Sequence, residues 1–324
     1  MKSIFKSIFS LIFIFFLISC GNKDSKNDSD NNTTSSSNSC PNSGCLFVAV
    51  GYNGTILTSE DSVTWNSVYS GTTKAIYEVE YGNGYYISTG FEGIILASTD
   101  GINWNRRTSG TTKKLEVAVY GNGVFVVGGE DGTIRSSSDT MIWSYSYSGT
   151  SEYLVNGIFG NNIFVLVGSN GTIISSSNGL DWNKRFSGTN SDLSDVGYGD
   201  GKFIITSYSE GEILVSNDGR FWSKMNINSS ASLGEIVYGN GEFIITGNDV
   251  TTLTASFFKS SDGSNWSLQY VTDYLNVPTD LIFSNNKFIG VGYTGKIISS
   301  NDGKNWEIKS SGYSINLLGI VYSH

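Results

Sequence analysis

The chain has 324 residues, a formal net charge of −9, 39 glycines and only two prolines. Glycine this far above the usual ~7%, with proline nearly absent, asks for many tight turns in a folded β-rich protein and excludes a Pro-rich disordered chain. The acidic balance argues against a nucleic-acid binder, whose phosphates need a basic footprint.

Residues 1–19 read as a sorting signal. Lys2 and Lys6 give a positive start, an apolar run from Ile8 to Ile18 follows, and LISC ends at Cys20. The run is short for a bilayer span. LISC resembles the lipobox of bacterial lipoproteins, and that resemblance implies an acylated Cys20 as the mature N-terminus. It also implies attachment to the bacterial cell envelope through lipid, at the outer membrane or cell surface rather than the inner membrane. Losing Lys2 and Lys6 with the signal makes the mature chain two charges more negative. The next block, to residue 44, is almost wholly Ser, Asn, Asp, Thr and Lys, and it cannot bury enough apolar surface to order itself, so a flexible tether is expected. Cys40 and Cys45 form an even pair that can close a small disulfide loop in an oxidising compartment. A metal site is not expected, because the one histidine is His324 and zinc would need two further ligands. No cofactor motif is present either.

From residue 45 to 324 the chain repeats. The seven tryptophans, Trp65, Trp104, Trp143, Trp182, Trp222, Trp266 and Trp306, are spaced by 39, 39, 39, 40, 44 and 40 residues. Within a unit such as LEVAVYGNGVFVVGG, residues 115–129, two β-branched and aromatic runs flank an Asn-Gly hairpin signal. A second turn leads to a third strand such as TIISS at 172–176, and a DGxxW segment turns the chain into a fourth. Four short antiparallel strands in about 40 residues describe a β-propeller blade. The repeat begins at residue 46 without a first strand and ends with LLGIVYSH, residues 317–324, which supplies one. The expected fold is therefore all-β, a seven-bladed β-propeller of four-stranded antiparallel blades whose first blade is closed by the C-terminal strand. A six-bladed ring with a leftover partial unit is the alternative.

The turn between third and fourth strands recurs as SEDSVTW, STDGINW, SSDTMIW, SSNGLDW, SNDGRFW, SSDGSNW and SNDGKNW. These segments resemble the Asp box of BNR-repeat, sialidase-like propellers, with four residues rather than five from acid to tryptophan. The resemblance implies a structural role for Asp61, Asp100, Asp139, Asn178, Asp218, Asp262 and Asp302, each paired with the tryptophan four residues on. The residue types agree: a short carboxylate can accept from the N–H groups of its own turn, and tryptophan can fill an interface between blades. Sialidase chemistry is not expected, because none of the five arginines stands in an Arg-Ile-Pro context. A likeness to the photosystem II assembly factor propellers, which bind a protein partner, is limited by the acidity of this chain.

Blade six breaks the period, in GNDVTTLTASFFKS, residues 247–260, and VTDYLNVPTD, residues 271–280. Loops that depart from a rigid repeat are where function is often grafted. Asp249, Thr251, Phe257, Asp273, Tyr274 and Asp280 are therefore the candidate ligand-binding residues, with neutral drift of a surface loop as the competing reading. The expected protein is a monomeric, non-catalytic binding or scaffold module for an unidentified protein or glycan. The alternative is a glycan-active hydrolase using carboxylates of the loop-bearing face.

Overall fold

In the computed structural model, residues 46–323 are described, and they form seven four-stranded antiparallel sheets set in a ring. The fold is all-β and is a seven-bladed β-propeller. Cys20, Cys40 and Cys45, with the expected leader and tether, lie outside the described residues.

Blade three shows the unit. Its strands run Leu115–Gly121, Val124–Gly129, Ile134–Ser137 and Ser144–Ser146, from the ring axis outward. Asn122 and Gly123 join the first two with φ of 47° and 76°, the paired left-handed geometry of a tight hairpin. Blade four makes the same turn with Asn161 and Asn162, since asparagine tolerates positive φ best among residues with a side chain. At the end of the first strand Gly121 is required for another reason. A Cβ there would lie 2.1 Å from the ring of Phe159, which the next blade lays across it.

Blade one is completed by the two ends of the chain. Its innermost strand is Leu317–Tyr322, paired with Phe47–Gly51 in the register Phe47 to Tyr322 and Val50 to Gly319. Ser323 donates its N–H to the Leu46 carbonyl at 3.1 Å, and its Oγ accepts from the Leu46 N–H at 2.9 Å. The ring thus closes by hydrogen bonding, and Phe47–Gly51 is paired on both sides instead of being left as an open edge.

The core is divided into seven apolar clusters, and each lies between one blade and the next. One joins Val117, Val126 and Ile134 of blade three to Leu154, Phe164, Leu166 and Ile174 of blade four, with Trp182 packed against it. Another joins Val165 and Ile173 of blade four to Phe203, Ile205 and Leu214 of blade five, with Trp222 at its border. Each box tryptophan belongs to the seam between its own blade and the preceding one. In blade five an aromatic chain links inner to outer strands, with ring centroids 4.5 Å apart for Tyr198 and Phe203 and 6.3 Å for Phe203 and Trp222. Tilted and edge-on pairs of this kind stabilise beyond the area they bury.

Candidate functional site

Strand register separates two faces. Ile76, at the start of an inner strand, pairs with Gly90 at the end of the second strand, so the turns from second to third strand share a face with the links between blades. We call this the upper face; the hairpins after the inner strands and the Asp boxes occupy the lower one.

The boxes form one repeated hydrogen-bond pattern. At the last box the Ser300 hydroxyl donates to Asp302 Oδ1 at 3.1 Å, and Asp302 Oδ1 also accepts the N–H groups of Lys304 and Asn305 at 2.9 and 2.8 Å. The equivalent bonds occur around Asp61, Asp100, Asp139, Asp218 and Asp262, and around the Asn178 side-chain oxygen in blade four. Ser62 and Thr140 take φ of 61° and 64° at the place where the other boxes use glycine, so the turn persists without it. Five of the indole N–H groups, those of Trp65, Trp104, Trp143, Trp182 and Trp266, donate to the carbonyl three residues earlier. Backbone N–H groups of Thr64 and Val63 hold the Asp61 carboxyl down at about 2, and those of Asn305 and Lys304 act likewise on Asp302. Such groups stay ionised and bonded, a turn staple rather than an acid or base.

Blade six differs in length, in a way the sequence reading did not anticipate. The expected loop insertion is extended β structure: Glu242–Asp249, Thr254–Ser260 and Ser267–Asp273, against three to six residues for the same strands of blade three. Only Val250–Leu253 remain as a turn. The β-branched and aromatic run TASFFKS stays paired along its whole length, so the extra residues raise a three-stranded flap on the upper face.

The six candidate residues divide accordingly. Asp249, Thr254 and Asp273 share one rung at the flap's upper end. Asp249 caps the turn, accepting from the Thr251 N–H and hydroxyl at 2.8 and 2.6 Å, and the Thr251 hydroxyl first and then the N–H groups of Thr251 and Thr252 hold its carboxyl down at about 2. Thr251 and Asp273 are exposed and Asp249 is half-buried. The expectation of ligand contact at Phe257 is corrected: it is fully buried, with its ring 4.5 Å from Trp306, because strand alternation turns it toward blade seven. Tyr274 is also corrected. Its ring is buried beneath the flap while its N–H donates to the Leu253 carbonyl at 3.0 Å, and burial raises its phenol. Asp280 stands off the flap, in the inner strand Pro278–Ser284. One oxygen accepts the Leu281 N–H and the other the Ile320 N–H of blade one, both at 2.7 Å, so it latches the seam where the ring closes. Asp195 makes the same pair of bonds to Val196 and to Ile236 of blade six, at 2.7 and 2.8 Å.

Two further polar groups escaped the sequence reading. At the upper end of the inner strands, Glu116 is buried and paired with Lys114, whose ammonium lies 4.3 Å from the Tyr77 ring centroid and 5.3 Å from that of Tyr153. Burial, aided by the Glu116 charge, pushes the Tyr52 phenol up to about 12 and raises Tyr77 and Tyr153 as well. Groups displaced so far from neutrality are poor proton donors or acceptors and make a rigid aromatic floor. Lower on the same strands, burial and the charge of Asp280 push the Glu80 carboxyl up to about 8, even though its backbone neighbour Tyr81 opposes the shift. The visible signal was positional. Tyr77 and Glu116 occupy an inner-strand site held in the other five blades by Val155, Ser194, Gly234, Thr279 and Leu318. Among the described residues no three His, Cys, Asp or Glu side chains are grouped to hold a metal ion, and no helix is long and apolar enough to cross a membrane.

No family model matches the chain, and no curated protein matches it by sequence. Solved structures do match. A structure of YCF48 bound to D1 peptide has a TM-score of 0.61 at 16% identity, covering 78% of this chain and 87% of that one. YCF48 from Cyanidioschyzon merolae has the same score and identity, covering 78% and 90%. A catalytically inactive virginiamycin B lyase from Staphylococcus aureus, with quinupristin, has a TM-score of 0.64 at 11% identity, covering 74% and 85%. At these identities the likeness is one of fold alone, and the fold it shows is the seven-bladed β-propeller.

Proposed function

We propose that the protein is a lipid-anchored, exported propeller that acts as a non-catalytic binding or scaffold module on the cell envelope, with its upper face as the binding surface. The observation that carries this reading is the flap of blade six, which lengthens three strands on that face while the other blades keep the repeat. Its exposed residues include Thr251 and Asp273 together with Val250 and Leu253, beside the half-buried Asp249, a mixture of charge and apolar surface suited to a protein or glycan partner. A propeller of this fold is known with a peptide bound, and another in a nidogen–laminin complex, which supports a docking role. The lipid-anchor reading rests on LISC at residues 17–20, and the BNR-type reading on the box pattern.

The test replaces residues 249–253 with a two-residue Asn-Gly turn and compares partner capture from the native envelope. We expect a partner retained by the wild type and lost by the shortened form at an unchanged melting temperature. Equal capture by both would remove the flap from the site.

The hydrolase alternative draws on Glu80, whose carboxyl stays protonated at neutral pH as a general acid must, and on the presence of a lyase among the fold neighbours. Against it, Asp280 spends both oxygens on backbone N–H groups, which leaves it ill placed to act as the second carboxylate.

A further inference from the structure

Large apolar side chains stand exposed at the boxes of five consecutive blades. They are Val63 in blade one, Ile102 in blade two, Met141 and Ile142 in blade three, Leu180 in blade four and Phe221 in blade five, ranging from 50% exposed at Leu180 to 80% at Phe221. Blades six and seven carry Ser264, Asn265, Lys304 and Asn305 instead. All are at one of two adjacent positions of the same turn. Equivalent positions of a rotational repeat lie at one height, so this arc can meet a flat surface with every member at once. Exposed apolar residues are ordinary when scattered, but an arc at one level on one face is not scattered. The upper face also exposes large apolar side chains, Tyr69, Phe91, Tyr147, Phe186, Val250 and Leu253 among them, but these stand at several different positions of the repeat rather than in one turn.

The chain enters the propeller on the arc's own face. Phe47 pairs with Ser59, the first residue of the box in blade one, and a Cβ on Gly101 in the box of blade two would lie 2.9 Å from the Leu46 side chain. Leu46 therefore enters between the first two boxes, in the same surface hollow as Asp61, Thr64 and Ile102. Cys20 precedes Cys45 by 25 residues, a length that spans at most about 90 Å. A lipid on Cys20 would keep this face near the bilayer at an effective concentration in the millimolar range, where a weak apolar contact is enough.

We infer that the lower face is a membrane-contacting surface: Val63, Ile102, Met141, Ile142, Leu180 and Phe221 seat the propeller on the lipid interface, with the flap and the upper face turned away from it. This rests on the lipid-anchor reading for the nearness of a bilayer and adds an orientation to it. The surface fits a zwitterionic interface better than an anionic one, since the chain is acidic. Aliphatic and aromatic side chains at one level are what interfacial insertion uses.

The boxes carry their own reporters, because all seven tryptophans lie in them. Protein isolated from its membranes is reconstituted into vesicles of phosphatidylcholine brominated in its acyl chains, and tryptophan quenching is compared between the wild type and the triple variant Ile142→Ser, Leu180→Ser, Phe221→Ser. We expect clear quenching in the wild type, at least halved in the variant with melting temperature unchanged. Weak quenching in vesicle-bound wild type, or equal quenching in both, overturns the proposal. The mass of the N-terminal peptide reports acylation of Cys20 separately. If it is unacylated, the anchor reading fails, while flotation of the wild type but not the variant with the same vesicles would still uphold the membrane-contacting face.

Discussion

The outer turns and the inner strands of this propeller use carboxylates in opposite ways. Asp302 sits near solvent, yet it gives up its proton readily because its turn aims two backbone N–H groups at one oxygen. Glu80 stands on an inner strand, where burial and the charge of Asp280 keep its proton on to about 8. Seven blades carry the first arrangement, with asparagine standing in once, whereas Glu80 has Val119, Ile158, Gly197, Val237, Ile282 and Val321 at its equivalent positions. The difference teaches how to read a repeat protein: what recurs around the ring holds the blades together, and what occurs once is free to serve something else.

The largest effect should come from the repeated side. Trp306 fills the seam between blades six and seven, against Phe257 at 4.5 Å and Phe288 at 6.3 Å. Trp306→Ala should lower unfolding free energy by about 3–5 kcal/mol in urea titration. A loss below about 1 kcal/mol would show that the boxes are not the interface staples that their repetition implies.

A smaller loss is expected where an inner carboxylate acts structurally, and this sharpens the contrast. Asp280→Ala strips the acceptors from the Leu281 and Ile320 N–H groups at the closing seam. Two buried donors left without partners should cost about 2–3 kcal/mol, and Asp280→Asn, which keeps one acceptor oxygen, about half of that. Hydrogen exchange should rise first at Ile320 and its strand neighbours. Protection lost evenly around the ring would mean that Asp280 is no local latch.

Much of this architecture was legible in the sequence, and the reasons are local. The tryptophan period, the Asn-Gly hairpins and the split first blade all follow from short-range chemistry repeated seven times. The flap was visible only as excess length. Its conversion into paired strands depends on TASFFKS finding partners in both neighbours, and the same pairing buries Phe257, which its position in the inserted segment had marked as a ligand contact. Asp280 was likewise misread from its nearness to the irregular segment, because its partner Ile320 is 40 residues away and is brought there by closure. The cluster of Lys114, Glu116, Tyr77 and Tyr153 draws on three blades and their links. No window of sequence contains it.

The smallest effect tests the two kinds of carboxylate in one experiment, the dependence of stability on pH. At the boxes the folded-state values lie below the ordinary 3.8, with Asp61 at about 2, so their contribution is complete above pH 4 and lost as pH falls toward 2. Glu80 works in the other direction. Between its ordinary 4.5 and about 8 the folded protein keeps a proton that the unfolded chain has released, so stability declines as pH rises through that window. Glu80→Gln should abolish the decline, leaving the variant no more stable than wild type near pH 4.5 but more stable by about 1–2 kcal/mol at pH 8.5, a figure reduced for the solvent that reaches the half-buried side chain. The acid limb, which belongs to the boxes, should be the same in both proteins. Parallel curves across the whole range would place Glu80 in water and remove the contrast between axis and rim.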